Sequence, residues 1–271
     1  MRKPILILSL IFTVMVSSPS NAEGLICKFT GWNCPVIDEK DLVKRGGLYY
    51  RKRTDVPFTG KTTGKTQGTF KNGKKDGPYI RYYKNGQLFL KTNYKDGKWD
   101  GPHIGYHDNG RLSFKGKHKD GKQEGPYVTY YRNGQLETKG TFKDGKNEGL
   151  YEHYHDNGKV YIKVTFKDDK EEGPYIRYHD NGQLQLKAHY KDGKKEGPWV
   201  EYHKNGQLWT KGTLKNDEQE GPWVSYRENG QLKSKGTYKN GKSEGPWVFY
   251  KKDGTVWEKY TGTYKNGVKV K

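Results

Sequence analysis

From residue 61 onward, apolar side chains come in short alternating runs, and Gly, Pro, Asn or Asp breaks each run within about a dozen residues. Helices need uninterrupted turns at a 3.6-residue period, and this punctuation leaves no room for them. Alternation is the strand period, so the runs read as β-strands. The punctuation is itself periodic. Gly-Pro stands at 77, 101, 125, 173, 197, 221 and 245, in steps of 24 residues or a multiple, and Gly149-Leu150 fills the missing slot. Asn-Gly recurs in phase at 85, 109, 133, 157, 181, 205 and 229, and Asp253-Gly254 ends the series. A second signal, Asp-Gly or Asn-Gly, recurs at 72, 96, 120, 144, 192 and 240, degrading to Asp168-Asp169 and Asn216-Asp217. Such dipeptides between short strands mark hairpins. The expected fold is therefore all-β: an elongated antiparallel β-meander of about eight 24-residue hairpin repeats. Sixteen or so strands at about 4.8 Å give a ribbon on the order of 75 Å long.

The copy from Gly197 to Glu220 sets the expected register. Val200 and Tyr202 share a face of its first strand, and Leu208, Thr210, Gly212 and Leu214 share a face of its second. A three-residue loop, Lys204-Asn205-Gly206, brings both sets to one side and sets Tyr202 opposite Leu208, whereas a two-residue loop separates them. That register generates a tyrosine column (Tyr82, Tyr106, Tyr130, Tyr154, Tyr178, Tyr202, Tyr226, Tyr250) and a leucine/valine column (Leu88, Leu112, Leu136, Val160, Leu184, Leu208, Leu232, Val256). Both read as packing columns. Gly116, Gly140, Gly212 and Gly236 are expected to make room for the tyrosine rings.

On the same register two lysine columns point away from this core. One is Lys91, Lys115, Lys139, Lys163, Lys187, Lys211, Lys235 and Lys259, and the other runs from Lys95 to Lys239. An aromatic column, including Tyr127, Tyr175, Trp199, Trp223 and Trp247, is expected beside them. Lysines next to aromatic rings suit an acidic protein edge, phospholipid head groups or anionic glycans. The plainer reading is a solvated face that keeps the ribbon soluble and its edges unpaired.

The first sixty residues are of another kind. Arg2 and Lys3 precede an apolar run, Ile5 to Val16, and Ser20-Asn21-Ala22 follows as a cleavage-type site. This reads as a signal peptide over residues 1–22, cleaved after Ala22, with an uncleaved anchor as the alternative. The chain would then be exported, to the periplasm or the medium. Residues 23–60 form an N-terminal capping segment, and residues 61–271 the repeat array. Cys27 and Cys34 would meet an oxidising compartment, where a close pair forms a disulfide.

Charge sharpens the partner class. The chain carries a net +20, falling to +18 without Arg2 and Lys3. With 31% apolar residues it is too polar for a deep globular core, yet 14% aromatic residues in fixed phase argue against disorder and for a thin sheet. Such a charge attracts anionic surfaces. Export argues against nucleic acid as the partner, and nothing in the mature chain reaches the roughly 20 apolar residues of a membrane span.

Nothing points to catalysis. His107, His155, His179 and His203 recur at one repeat position, two strands or about 9–10 Å apart, too far to share one zinc ion. They read as solvated strand residues. The acids before each Gly-Pro (Asp76, Asp100, Glu124, Glu148, Glu172, Glu196, Glu220, Glu244) read as turn formers and lysine partners. No phosphate loop, nucleophile elbow or metalloprotease motif is present, so no enzyme, cofactor or metal is expected.

The unit EGPWVSYRENGQLKSKGTYKNGK at residues 220–242 resembles the MORN-repeat variant of many bacterial proteins, a group commonly labelled YwqK-family toxin–antitoxin antitoxins. The stretch from Gly47 to Gly60 resembles the segment that often precedes these repeats. The resemblance implies a non-enzymatic scaffold that binds along one face of its sheet, and its label implies an alternative, an antitoxin or immunity protein that neutralises a toxin. A signal peptide departs from the pattern of a cytoplasmic antitoxin.

Overall fold

Alternation and turn chemistry produce the expected architecture. The computed structural model describes residues 34–271, which form a twenty-three-stranded sheet and a separate two-stranded hairpin, with no α-helix among them. Each strand of the array pairs antiparallel with its sequence neighbours, as in a meander. At the near end, Val36–Asp38 adds in parallel to Gly60–Thr63. The hairpin Leu42–Arg45/Leu48–Arg51 docks on the first repeat, where Tyr49 N–H donates to Gly73 O at 2.8 Å and the Tyr49 ring meets buried Phe70 edge-on. The leader expected over residues 1–22 and Cys27 lie outside the described residues.

The two turn signals build two different turns. At Asn205-Gly206, His203 N–H donates to Gln207 O and Gly206 N–H to His203 O, both at 2.8 Å, with Gly206 at φ +84°. This is the expected three-residue loop, and Tyr202 faces Leu208 across it. At the second signal, two left-handed residues close a two-residue loop, such as Asp192 and Gly193 at φ +52° and +81°. Asp168-Asp169 and Asn216-Asp217 adopt the same shape without glycine. The Gly-Pro pair makes no turn. Gly221 and Pro222 lie inside the strand Glu218–Tyr226, where the register slips beside Gly221 (φ +73°), so the pair forms a bulge.

A second irregularity changes the faces. Glu201 pairs with Thr210 but Tyr202 with Leu208, so Trp209 is an extra residue. Tyr202 and Leu208 stay together, but every residue from Thr210 onward flips relative to simple alternation. Val200 therefore pairs with Lys211, and Trp199 with Gly212. The same slip recurs at Tyr82, Tyr106, Tyr130, Tyr154, Tyr178 and Tyr226.

The core consequently lies on the face carrying the glycines. Trp223, Trp247, Leu214, Tyr79, Val164 and Leu186 are buried there. The glycine column does make room for rings, but not for those of Tyr82 to Tyr250. A Cβ on Gly212 would overlap the Trp223 indole, and one on Gly236 the Trp247 indole. A Cβ on Gly140 would lie 2.9 Å from Tyr127, and one on Gly68 2.7 Å from Tyr79.

Candidate functional site

On the opposite face the middle residues of successive strands form one row. Ile80, Lys91, Ile104, Lys115 and Val128 are direct cross-strand partners in turn. The row continues through Lys139, Glu152, Lys163, Ile176, Lys187 and Val200, then through Lys211, Val224, Lys235 and Val248. Lysine thus pairs with Ile or Val in twelve of the row's fourteen pairings, the other two falling at Glu152. Each lysine lies two strands, about 9–10 Å, from the next. The lysines and the tyrosine column share this face, contrary to the expectation that they point apart. Tyr154 shows it directly: its hydroxyl donates to Glu152 at 3.1 Å, and Lys139 Nζ lies 5.8 Å from its ring centroid.

Glu152 stands where the other copies carry Ile or Val. It is buried, and its carboxylate pairs with Lys139 and, at 2.9 Å, with Lys163. Burial pushes its pKa up, but hydrogen bonds from Lys139, Lys163 and Tyr154 outweigh that and bring it down to about 2. The same bonds raise both lysines. Among the described residues no ion pair joins Lys91, Lys115, Lys187, Lys211 or Lys235, all of them exposed. Lys259 leaves the row. Two extra residues in the last copy place it in the turn Trp257–Tyr260, its Nζ 5.6 Å from the Tyr260 ring.

The expected aromatic partners of these lysines are on the other side. Tyr127, Tyr175, Trp199, Trp223 and Trp247 pair with, or pack over, small residues of the glycine face. The indole N–H groups of Trp223 and Trp247 are already spent on Thr213 O (3.2 Å) and Thr237 O (3.0 Å). Burial lifts the Tyr127 phenol to about 12. A cleft of about 360 Å³ opens over Trp199, Trp209, Trp223 and Glu201, so this face offers rings without the lysine row.

Other columns prove to be structural bonds between copies. The histidines are half-buried rather than solvated. His107 Nε2 lies 2.8 Å from Tyr130 O, and His179 and His203 each lie 3.1 Å from Tyr202 O and Tyr226 O. Tyr83, Tyr131 and Arg227 donate in the same way to Tyr106, Tyr154 and Tyr250. The acids before Gly-Pro accept from the next turn instead of pairing with lysines. Glu124, Glu172, Glu196 and Glu220 each receive at 2.9 Å the N–H of Asp144, Asp192, Asn216 and Asn240. Asparagine columns tie the first turns together in the same sense. Sequence alone could have suggested them from the 24-residue phase, but not the direction of each bond.

No curated protein matches the chain. Among solved structures, the crystal structure of TcdB2-TccC3-Cdc42 is similar over 68% of this chain and 13% of that one, at 12% identity and a TM-score of 0.20. The chain thus spans about an eighth of that protein. The family model described as MORN repeat variant matches six segments of this chain, 75–96, 123–144, 147–168, 171–192, 195–216 and 219–240.

Proposed function

We propose that this chain is an exported, non-enzymatic scaffold that holds an anionic partner along its lysine face. The observation that carries the reading is the row in which lysines alternate with Ile and Val, interrupted at Glu152. The aliphatic neighbours give each lysine stem an apolar bed and leave its ammonium in solvent. Only Glu152 supplies countercharge within the row. Lys187, Lys211 and Lys235 therefore form an uncompensated tract with a fixed spacing. The apolar run Ile5 to Val16 and the site at Ala22 support export. Lipid head groups, anionic glycans or an acidic protein edge all have the required charge.

The test is binding to vesicles with and without phosphatidylglycerol, and to an anionic glycan, at low and moderate salt. Binding should require the negative charge and weaken as salt rises. At about 1 kcal/mol per lysine near an anionic surface, Lys187→Glu, Lys211→Glu and Lys235→Glu together should weaken it by roughly a hundredfold or more. Undiminished affinity in the triple variant would remove the lysine face from the function. A single protein partner that resists salt would instead favour the toxin-neutralising reading.

A further inference from the structure

One copy departs from the others at three positions that meet in space. On the glycine face four hairpins set two aromatic rings against each other: Tyr79 with Tyr94 at 5.3 Å, Tyr127 with Phe142 at 4.5 Å, Tyr151 with Phe166 at 5.6 Å, Tyr175 with Tyr190 at 5.4 Å. The copy starting at Trp99 has His103 and His118 at these places, with centroids 4.8 Å apart. It also falls in the gap between the first two family matches, 75–96 and 123–144.

The third departure is Trp99, at a phase where the other copies carry Lys, Gln, Asn, Glu or Ser. One copy earlier, Lys75 puts its Nζ 3.8 Å from the Tyr79 ring and 4.9 Å from Tyr94, and Lys195 stands over Trp199 at 5.1 Å. In these two copies a protein cation stands over the rings. At the equivalent position the histidine copy has Trp99, whose ring lies 4.8 Å from His103 and 4.9 Å from His118. Two imidazoles have replaced rings that cannot coordinate an ion.

These imidazoles line an open cleft with Trp99, Lys122 and Asp144. His118 is 7% exposed, and its Nδ1 is buried with no hydrogen-bond partner. An orphaned buried nitrogen is costly, and a tyrosine or phenylalanine here would avoid it. The Nδ1 of His103 lies 3.1 Å from Thr92 Oγ1, a bond that fixes the ring and leaves Nε2 to act as ligand. Two imidazoles sharing a metal at Zn–N near 2.0–2.1 Å with a roughly tetrahedral angle have centroids about 5 Å apart.

We propose that His103 and His118 form a two-imidazole site for a late first-row divalent ion, with Cu²⁺ the strongest ligand and water completing the shell. Asp144 and Lys122 both lie on the cleft wall. The site is independent of the lysine face, being on the opposite side of the sheet.

The experiment compares the full chain with His103→Tyr/His118→Phe, which installs the residues of neighbouring copies. Cu²⁺ is titrated into each and followed by tryptophan fluorescence and electron paramagnetic resonance. The natural chain should bind one more equivalent than the variant, show coupling to two imidazole nitrogens, and lose the Trp99 part of the emission, which Trp99→Phe identifies. Affinity should fall at least tenfold in each single variant, His103→Tyr and His118→Phe. Equal stoichiometry and affinity in the natural chain and the double variant would overturn the proposal. Should the double variant fail to fold, the single variants decide by the same comparison.

Discussion

The side chain of Asn205 joins its own turn to the next one: Oδ1 accepts from Gln207 N–H at 3.0 Å, and Nδ2 donates to Glu228 O at 2.7 Å. Asn85, Asn109, Asn133, Asn157 and Asn181 repeat the arrangement. An aspartate can make the first bond but not the second. It stands at the equivalent place only in the last copy, where Asp253 accepts from Thr255 N–H. Asn205→Asp should therefore keep the local turn and lose one inter-repeat bond, about 1 kcal/mol with some added repulsion. Equilibrium denaturation should show this loss, and Asp253→Asn should change stability by much less. Equal effects at the two positions would mean that the amide ladder carries no stability.

Gly236 illustrates a different constraint. Its φ is not in the left-handed region, so its need is space: the Trp247 indole lies where a Cβ would be. Gly236→Ala should force a buried ring off its seat and cost about 1–3 kcal/mol, as overpacking does. Pairing it with Trp247→Leu should recover part of that loss. A double-mutant cycle measures the recovery, and strictly additive effects would show that the two residues do not compete for the same volume.

The meander, the positions of both turns, the three-residue loop at Asn205-Gly206 and the Tyr202–Leu208 pairing were legible because turn dipeptides and apolar alternation agree there. The two-sided distribution of lysines and aromatics was not. One extra residue, Trp209, reverses the parity of everything after it, and a period-two pattern contains no sign of a bulge. Trp223 was thus placed beside Lys211 when it packs over Gly212. The histidine ladder was hidden because its acceptor is a main-chain carbonyl one copy away. The His103–His118 pair was in reach: at those two phases the other copies carry Tyr, Phe, Trp or Leu.

The ladder ending on tyrosine carbonyls accepts any donor, since Tyr, His and Arg all serve in it. His179→Tyr should therefore be tolerated, as Tyr131 already does the same work for Tyr154 O at 2.6 Å. His179→Phe keeps the ring and removes the donor, leaving Tyr202 O short of a partner. The expected cost is about 1–2 kcal/mol, with faster amide exchange around residues 179–183. If Phe and Tyr variants were equally stable, ring packing and not the bond would explain the column.

Glu152 offers a prediction in pH. Its folded pKa, about 2, lies below the 4.5 of an ordinary glutamate, so between these values the unfolded chain binds more protons. Stability from this group is complete above about pH 5 and is lost as pH falls toward 2, to an extent of roughly 3 kcal/mol. Glu152→Ala should destabilise the fold near neutrality by a similar amount, because Lys139 and Lys163 lose their acceptor and a cavity remains. Glu152→Val restores the aliphatic residue of the other copies, and replacing a buried ion pair by packed apolar volume is often neutral or stabilising. Its unfolding free energy should lack the natural chain's acid-dependent component, seen as a gap in favour of the variant that widens as pH falls below 5. The same variant removes the countercharge within the lysine row, so it should bind an anionic surface more tightly while folding as well. Parallel pH curves for the natural chain and Glu152→Val would refute the depressed carboxylate, and unchanged anion binding would detach Glu152 from the proposed function.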